Sequence, residues 1–551
     1  MSSGRLTFID LFSGCGGFTL GMLRAGFRCR AAVDFNPQAI TVLRDNLQAK
    51  FPASLPPVDF ALEADLTALS PEILSAIIGT DRVDVIVGGP PCQGFSTARQ
   101  RDGSNHGTER LKEDPRRHLF RNFLDHVEYF QPRVFVIENV LGLRSAAGGR
   151  YFTAVQYEAR SLGRANGKPG YRVHPQIERG VDLGVPQKRR RQLIVGVRAD
   201  LPGYFSPELE PAPRAMLETM LGDAILDLPA LKAGEGEHRI DYDLKRRKVQ
   251  FLGGTRDRFR KRYLAHIAEV ASSPAIYNHV ARPHNARDLR DFERIPEGSS
   301  SAEQMRRGVQ FDFPYDKTTF KDRYTRQHRN QPCSTIVAHL SKDGLMFIHP
   351  VQNRSLTPRE AARVQTFPDW FVFPAERTHA FRLIGNAVPP LISEAVGRAL
   401  LSFLAPESTV PAATPARARV QTPVAAAPAL TLPHDRAEAV RWLAPFTDPN
   451  TDRRALRAMK TPVFLHAWQA LLWLFPDLHP DNAVEHGDER HEDAATAPDV
   501  APLGRERYTR SGWPVMLEGF GREAWRRFEA GEFSDEAFYC VEAQRAGMIF
   551  R

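Results

Sequence analysis

A cysteine preceded by two prolines is the residue of this sequence best suited to chemistry. Cys92 follows the apolar run "VDVIVGG" and a proline pair, so it lies on a turn at the end of a predicted buried strand. A buried structural cysteine is the alternative, but the turn favours a nucleophile, which nearby cationic groups keep as thiolate. An enzyme that methylates an exocyclic amine of a base needs no thiol. Carbon 5 of a pyrimidine, in contrast, becomes reactive only after a nucleophile adds to carbon 6. Cys92 therefore predicts an enzyme that modifies carbon 5 through a covalent bond to carbon 6.

A second candidate site is the glycine-rich stretch "FIDLFSGCGGF" near the start of the chain. It predicts a strand, a loop with Gly14, Gly16 and Gly17, and then a helix. Glycines at such a junction let the backbone approach a ligand at the carboxyl edge of a sheet. A tight structural turn is an equally good interpretation of the glycines alone.

Acidic residues after the next two segments strengthen the ligand interpretation. Asp34 ends the following strand and can accept hydrogen bonds from ribose hydroxyls, and Phe35 offers a flat surface beside it. Asp65, in "EADLT", can meet the exocyclic amine of an adenine. Neither a Gly-Lys-Ser/Thr loop nor GxGxxG is present, so these residues favour S-adenosylmethionine over ATP or NAD.

The elements that must position these residues alternate along the first part of the chain. Between residues 6 and 198, short β-type runs are separated by helix-length segments. This alternation predicts a parallel, doubly wound α/β sheet.

The predicted domain organisation follows shifts in composition. Residues 200–325 lose the alternation and become rich in Arg, Asp, Pro and Gly, and regular patterns return after them. An Ala/Pro-rich stretch is typical of an extended linker. The predicted units are a catalytic domain in two parts (1–199 and 326–404), an irregular domain (200–325), a linker (405–435) and a C-terminal extension of open role (436–551).

Composition limits the class of protein. The formal net charge is +9, which fits a polyanionic partner. The five cysteines form no CxxC pair, so neither a disulfide framework nor a metal site is predicted. The N-terminus lacks a leader-like apolar region and the apolar runs are short for a membrane span, so we expect a cytoplasmic protein without membrane association.

Six motifs in order identify the chain as similar to the bacterial DNA (cytosine-5)-methyltransferase family. They are "DLFSGCGG", "GGPPCQGFS", "ENV", "GVPQKRRR", "RSLTPREAARVQTFP" and "GNAVPP", between residue 6 and about residue 400. The resemblance implies a Rossmann-like methyltransferase sheet, S-adenosyl-L-methionine as cofactor, and a smaller target-recognition domain at 200–325. It also implies that a flipped cytosine in duplex DNA is methylated at carbon 5 through an adduct with Cys92.

The resemblance also assigns site residues. Glu138 would engage N3 and the amine of the target base, and the polar segment 96–117 resembles a loop that closes over DNA. The implied catalytic residues are Cys92, Glu138, Arg189 and Arg191; those for the cofactor are Phe12, Gly14, Gly16, Gly17, Asp34, Phe35, Asp65, Leu66, Pro90, Leu119, Asn386 and Val388; those for the substrate are Ser96, Arg99, Asn139 and Gln187.

The expected setting is restriction-modification or a related phage defence. Double-stranded DNA is the expected partner, a cognate restriction or defence protein a further candidate, and the enzyme is expected to act as a monomer associated with the nucleoid. A tRNA cytosine-5 methyltransferase is an alternative, against which the large basic insertion argues. A catalytically silent DNA-binding regulator is another, against which the intact Cys92, Glu138 and Arg191 argue.

Overall fold

The fold is known from a computed structural model of the chain. It describes residues 5–56, 59–91, 119–202, 209, 219–241, 257–313, 324–342 and 344–404. Cys92, Ser96 and Arg99, the rest of the predicted loop to residue 117, the linker and the C-terminal extension lie outside the described residues.

A seven-stranded sheet forms the centre of the catalytic domain, in the order β3-β2-β1-β4-β5-β7-β6. Its strands are β1 (Thr7–Leu11), β2 (Arg28–Asp34), β3 (Ala61–Glu63), β4 (Val85–Gly88), β5 (Val134–Asn139), β6 (Tyr171–Arg179) and β7 (Arg190–Arg198). The predicted doubly wound methyltransferase-type α/β sheet is therefore confirmed.

One strand departs from the predicted parallel arrangement. Strand β7 runs antiparallel to both of its neighbours, β5 and β6. The connection between β6 and β7 holds only a short 3-10 turn, Gly180–Leu183. A parallel pair needs a crossover of a dozen or more residues, so this short connection can only reverse the chain.

Twelve α-helices are found among the described residues. They are α1 (Gly17–Arg24), α2 (Pro37–Leu47), α3 (Pro71–Ile78), α4 (Leu119–Phe130), α5 (Arg150–Ser161), α6 (Leu221–Ile225), α7 (Asp257–His266), α8 (Ala286–Glu293), α9 (Ser301–Arg306), α10 (Pro358–Val364), α11 (Arg377–Asn386) and α12 (Pro390–Leu404). Local sequence explains where some begin: Asn36 caps α2 just before Pro37, and Thr357 forms a capping box with Glu360 at α10.

Two apolar cores cover the two faces of the sheet. Phe8 and Val85 point into the core that contains residues of α1, α2 and α12, whereas Ile9 and Ile86 point into the core that contains residues of α3, α4 and α5. Successive residues of a strand point to opposite faces, so each central strand is apolar along its whole length.

Helices α11 and α12 together make a stretch, residues 377–404, that is long and apolar enough to cross a membrane. The stretch is broken at Pro389, and 67% of its most apolar window is buried within the protein. A mostly buried core helix has these properties.

The region between β7 and α10 contains a two-stranded antiparallel sheet, β8 (Gly236–Asp241) with β9 (Ala275–Val280). The beginning and the end of the region are joined by backbone hydrogen bonds, from Leu221 N to Gln331 O (3.0 Å) and from Gly222 N to Arg329 O (2.8 Å). Residues of α6, α7 and β9 share the core of α10–α12, whereas a separate small cluster forms around Phe292.

Buried ion pairs stabilise the part of this region that adjoins α10. Both terminal nitrogens of Arg354 donate to the Glu360 carboxylate, at 2.8 and 2.7 Å. Arg363 donates to both oxygens of Asp369, at 2.7 and 2.6 Å, and also to Asp227. Removing one partner of such a pair leaves an uncompensated buried charge, which costs about 3–5 kcal/mol.

Two buried histidines lie beside the Arg354–Glu360 pair. Burial lowers the pKa of His279 to about 4 and that of His349 to about 3, although the Glu360 carboxylate acts in the opposite direction. The His279 ring contacts the Thr357 hydroxyl and the Pro229 carbonyl, and Val351 N donates to His349 Nδ1. Both side chains are therefore neutral in the folded protein near pH 7.

We expect these histidines to make the protein sensitive to acid. In the unfolded state the two histidines bind protons near pH 6.5. Their contribution to the free energy of unfolding is therefore complete above that pH, and it is lost as the pH falls toward the folded-state pKa values of about 4 and about 3. Denaturant titrations at pH 7.5 and 5 should differ by about 2 kcal/mol for each histidine. His349→Asn should reduce this difference, and His238→Asn, on exposed β8, should not. An unchanged difference in His349→Asn would contradict the assignment.

Candidate active site

The carboxyl ends of four neighbouring parallel strands bring the predicted site residues together. Strands β2, β1, β4 and β5 lie side by side and end at Asp34, Leu11, Gly88 and Asn139. The glycine-rich loop, Asp34 with Phe35, the Gly89–Pro91 turn and Glu138 therefore share one edge of the sheet. This edge is where open α/β sheets bind their ligands.

The loop after β1 has an unusual backbone. Phe12, Gly14 and Gly16 have φ values of 61°, 54° and 90°, in the left-handed region. Such a conformation is uncommon for an aromatic residue and is typical of functional sites. A Cβ added at Gly14 would have no atom within 4 Å, so Gly14 borders open space.

The other two predicted glycines serve packing. A Cβ at Gly17 would lie 2.1 Å from the Val388 carbonyl oxygen, and one at Gly16 would lie 2.9 Å from Leu43 Cγ. Of the three glycines, Gly14 alone faces a space that a ligand could fill. Gly17 instead lets the turn between α11 and α12 approach the loop.

Asp34 lies beside this open space. Its carboxylate accepts hydrogen bonds from Gly14 N and Asn36 N, both at 2.9 Å. Burial raises the pKa of Asp34, and the two backbone bonds act against this rise. The phenyl ring of Phe35 is 68% exposed, so its face is available to a ligand.

The remaining predicted cofactor residues are placed around the same edge with different exposure. Asp65 is exposed and accepts hydrogen bonds from both the amide and the hydroxyl of Thr67, whereas Leu66 is buried. Leu119 is half-buried at the start of α4. Asn386 is exposed at the end of α11, and the Val388 side chain is buried.

Open space at Gly14, an acceptor at the end of β2 and an exposed ring fit the adenosine part of S-adenosylmethionine. The described residues contain no group of three His, Cys, Asp or Glu residues that could hold a metal ion.

Glu138 and Arg191 form the charged part of the site. Arg191 Nε lies 2.8 Å from Glu138 Oε1, and the two side chains are only 12% and 11% exposed. A Cβ at Gly89 would lie 3.4 Å from Glu138 Oε2, so the carboxyl group stands close to the turn that leads to Cys92. A carboxyl group held in this way can exchange a proton or a hydrogen bond with a ring nitrogen.

Asn139 acts on the same turn. Its side-chain Nδ2 donates to the Pro90 carbonyl at 3.2 Å, and its Oδ1 accepts from Val140 N. The predicted contact of Asn139 with substrate stays a prediction, and the observed bond instead holds the proline pair before Cys92.

Gln187 and Arg189 are placed differently from Arg191. Gln187 is fully buried, and its amide bonds to the Val364 carbonyl, Gln365 and Ile336 N. Arg189 is buried and donates to the carbonyls of Ile336 and Ala387. Within the described residues, only Arg191 of the three pairs with Glu138.

Comparisons with known proteins show the family of this chain. The profile of the C-5 cytosine-specific DNA methylase family matches residues 6–402. The chain belongs to this family. It is 34% identical over 407 residues to the type II methyltransferase M.DdeI of Desulfomicrobium norvegicum, covering 71% of this chain and 87% of that protein. It is 32% identical over 401 residues to the type II methyltransferase M1.HphI of Haemophilus parahaemolyticus, covering 72% of this chain and 87% of that protein.

A solved structure supports the fold. It is a candidate DNA modification methyltransferase encoded within an E. coli prophage, 28% identical, with a TM-score of 0.52 over 73% of this chain and 99% of that one. The predicted class, a S-adenosylmethionine-dependent DNA cytosine methyltransferase, is confirmed by the family. The match ends at residue 402, before the linker and the C-terminal extension.

One buried acid of this methyltransferase was missed in the sequence. Asp10 lies inside β1, and burial raises its pKa to about 7, although a hydrogen bond from the Thr19 hydroxyl (2.6 Å) acts against this rise. The sequence does indicate a buried acid here, because Asp10 is the only charged residue in the apolar run "TFIDLF". Its bond to Thr19 ties β1 to α1 beneath the glycine-rich loop.

We expect Gly14→Ala to separate ligand binding from backbone strain. Alanine at a positive φ costs about 1 kcal/mol, and Gly79→Ala is a matched control because Gly79 also has a positive φ and open space around it. Both variants should lose similar stability in thermal unfolding. Only Gly14→Ala should weaken S-adenosylmethionine binding, by about tenfold or more in calorimetry. Equal affinities for the two variants would show that Gly14 does not border the ligand.

Proposed function

We propose that this methyltransferase transfers a methyl group from S-adenosyl-L-methionine to carbon 5 of a cytosine extruded from duplex DNA, through an adduct with Cys92. The observation that carries the proposal is the Glu138–Arg191 pair, which stands close to the turn before Cys92 and at the same edge as the open glycine-rich loop. The pair would supply a proton-exchanging group to a base bound at this edge.

Activation of the base needs both Cys92 and Glu138. The Cys92 thiolate adds to carbon 6, and Glu138 provides a proton or hydrogen bond at N3, which takes up the electron density of the new bond. Arg191 holds the Glu138 carboxyl group in place. Burial raises the pKa of the Cys15 thiol to about 12 and also raises that of Cys333, so these cysteines do not supply thiolate near pH 7.

S-adenosylmethionine, when bound, supplies an electrophilic methyl group. Asp34 would accept from the ribose, Phe35 would cover the adenine, and Asp65 would meet its amine. Carbon 5 would take the methyl group as the bond between that group and the cofactor's sulfur breaks, which leaves the demethylated cofactor. A water molecule or side chain would then remove the carbon 5 proton, the carbon 5–carbon 6 double bond would re-form as the Cys92–carbon 6 bond breaks, and the thiolate would be restored.

The target base must leave the duplex, because carbons 5 and 6 cannot meet a thiol and a methyl donor inside the stack. Ser96 and Arg99 would contact the DNA from segment 96–117. The region 200–325 would select the target sequence, and its arginines suit phosphate and guanine contacts.

The proposed setting is a restriction-modification system or a related phage defence in a bacterial cytoplasm. The support is that two curated relatives are named type II methyltransferases. Double-stranded DNA is the proposed partner, a cognate restriction or defence protein a further one, and the enzyme would act as a monomer on nucleoid DNA.

Trapping on a modified base tests the adduct. In duplex DNA with 5-fluorocytosine, carbon 5 carries fluorine in place of the proton, so elimination of Cys92 is blocked after methyl transfer. We expect wild type and Cys29→Ala to form a denaturation-resistant complex, and Cys92→Ser to form none. Cys29 is a buried thiol in β2 and is therefore the matched control. Trapping by Cys92→Ser would refute the assigned nucleophile.

Glu138→Gln tests the acid. Glutamine keeps the shape of the side chain but cannot give up a proton in the same way, so turnover should fall by about 10²–10⁴-fold. Single-turnover rates with radioactive cofactor measure this. A rate within a few-fold of wild type would remove Glu138 from the mechanism.

Base-resolution mapping then tests the substrate. DNA from a host without cytosine methylation, expressing the wild-type chain, should carry 5-methylcytosine at one short recurring sequence. Methylated RNA with unmethylated DNA would instead support the tRNA alternative.

A further inference from the structure

Gln365 is a buried glutamine for which the proposed mechanism has no use. It directly follows α10 and is fully buried. Its Nε2 donates to the carbonyls of Ile384 (2.6 Å) and Ala387 (3.3 Å), and its Oε1 accepts from Gln187 Nε2 (2.7 Å). An amide side chain with both donor and acceptor groups engaged in this way has one fixed orientation.

The carbonyls that Gln365 contacts belong to the end of α11 and the turn to α12. That turn contains Asn386 and Val388, two of the predicted cofactor residues. The Ala387 carbonyl lies between them and also accepts from Arg189 Nη2 at 3.0 Å. Two buried side chains therefore converge on one carbonyl of the turn.

The residue after Gln365 is strained. Thr366 has a φ of 67°, which is a true outlier for a β-branched side chain. Its hydroxyl accepts from Leu391 N, in the first turn of α12, at 3.1 Å. The strained residue thus binds α12 directly, while Gln365 binds the turn before it.

Gln187 connects this arrangement to the catalytic side of the sheet. Gln187 and Arg189 are buried, Lys188 and Arg190 are exposed, and Arg191 points to Glu138. This alternation shows an extended segment whose residues 187, 189 and 191 share a face. The same segment therefore reaches the turn directly through Arg189 and by way of Gln365 through Gln187, and it reaches the Glu138 carboxyl group through Arg191.

We propose that Gln365 is a positioning residue for cofactor binding, which fixes the Asn386–Val388 turn through the Ile384 and Ala387 carbonyls and ties it through Gln187 to the segment that holds Glu138. The inference rests on the proposed function, in which Asn386 and Val388 line the S-adenosylmethionine pocket. Gln365 itself touches neither the cofactor nor the base.

Gln365→Met is the direct test, because methionine has a similar length but neither donates nor accepts strong hydrogen bonds. We expect the Kd for S-adenosylmethionine to rise about tenfold, the equivalent of one buried hydrogen bond to the turn. Turnover at saturating cofactor and the KM for DNA should stay within about twofold. The matched control is Gln156→Met in α5, where an equally buried glutamine donates to Phe152 O at 3.2 Å.

A double-mutant cycle tests the link to Gln187. If the two amides act as one unit, Gln187→Met and Gln365→Met should each raise the Kd, and the double variant should raise it by less than the product of the two effects. Fully multiplicative effects would overturn the link.

The outcomes separate this inference from the proposed function. Wild-type protein that does not bind S-adenosylmethionine would refute the proposed function itself. Wild type that binds, with a folded Gln365→Met variant of unchanged Kd, would overturn the positioning role alone. A fall in turnover with unchanged Kd would overturn it as well. If Gln365→Met does not fold, Gln365→Asn, whose shorter amide cannot reach both carbonyls, is judged by the same Kd criterion.

Discussion

The close contact between α1 and α12 is the constraint on which the site depends. A Cβ at Gly17 would lie 2.1 Å from the Val388 carbonyl oxygen, and one at Gly21 would lie 2.2 Å from Ser393 Oγ, so only glycine fits at either position. The Ser393 hydroxyl also donates to Gly17 O, across 376 positions of sequence. Because the helices meet in this way, the loop after the first strand and the turn before the last helix reach the same edge of the sheet. Neither end of the catalytic domain could form that edge alone.

Several arginines act inside the protein rather than on a polyanion. Arg359 is fully buried and donates to three carbonyls, those of Tyr277, Pro368 and Phe371, and burial lowers its pKa to about 10. Arg189 likewise bonds to carbonyls, whereas Arg354 and Arg363 pair with carboxylates. A guanidinium group suits this work because its fork of donors satisfies several acceptors at once. Arg359 and Arg189 therefore carry positive charge that does not face DNA, whereas the charges of Arg354 and Arg363 are cancelled by carboxylates and add nothing to the net charge.

The sequence predicts those parts of the fold and site that local pattern encodes. Glycines and acids at strand ends indicate the ligand edge, because parallel strands end together. The direction of β7 is not contained in its apolar pattern, although the short connection before it carries that information. The orientation of Gln187 and Arg189 was harder to predict, because it depends on Ile336, Val364 and Ala387, about 150 to 200 positions later in the chain. Their alternation with exposed Lys188 and Arg190 was the one local sign.

The joined ends of the region between β7 and α10 have an evolutionary consequence. Leu221 and Gly222 are hydrogen-bonded to Gln331 and Arg329, so the stretch between these residues is a loop whose two ends are held together. A loop whose ends are fixed together can change in length at small entropic cost, since each doubling adds only about 0.6 kcal/mol. Changes of length around the separate Phe292 cluster would therefore disturb the edge least, whereas α6, α7 and β9 share the core of α10–α12. A single scaffold could in this way diversify into many lineages that differ in this region.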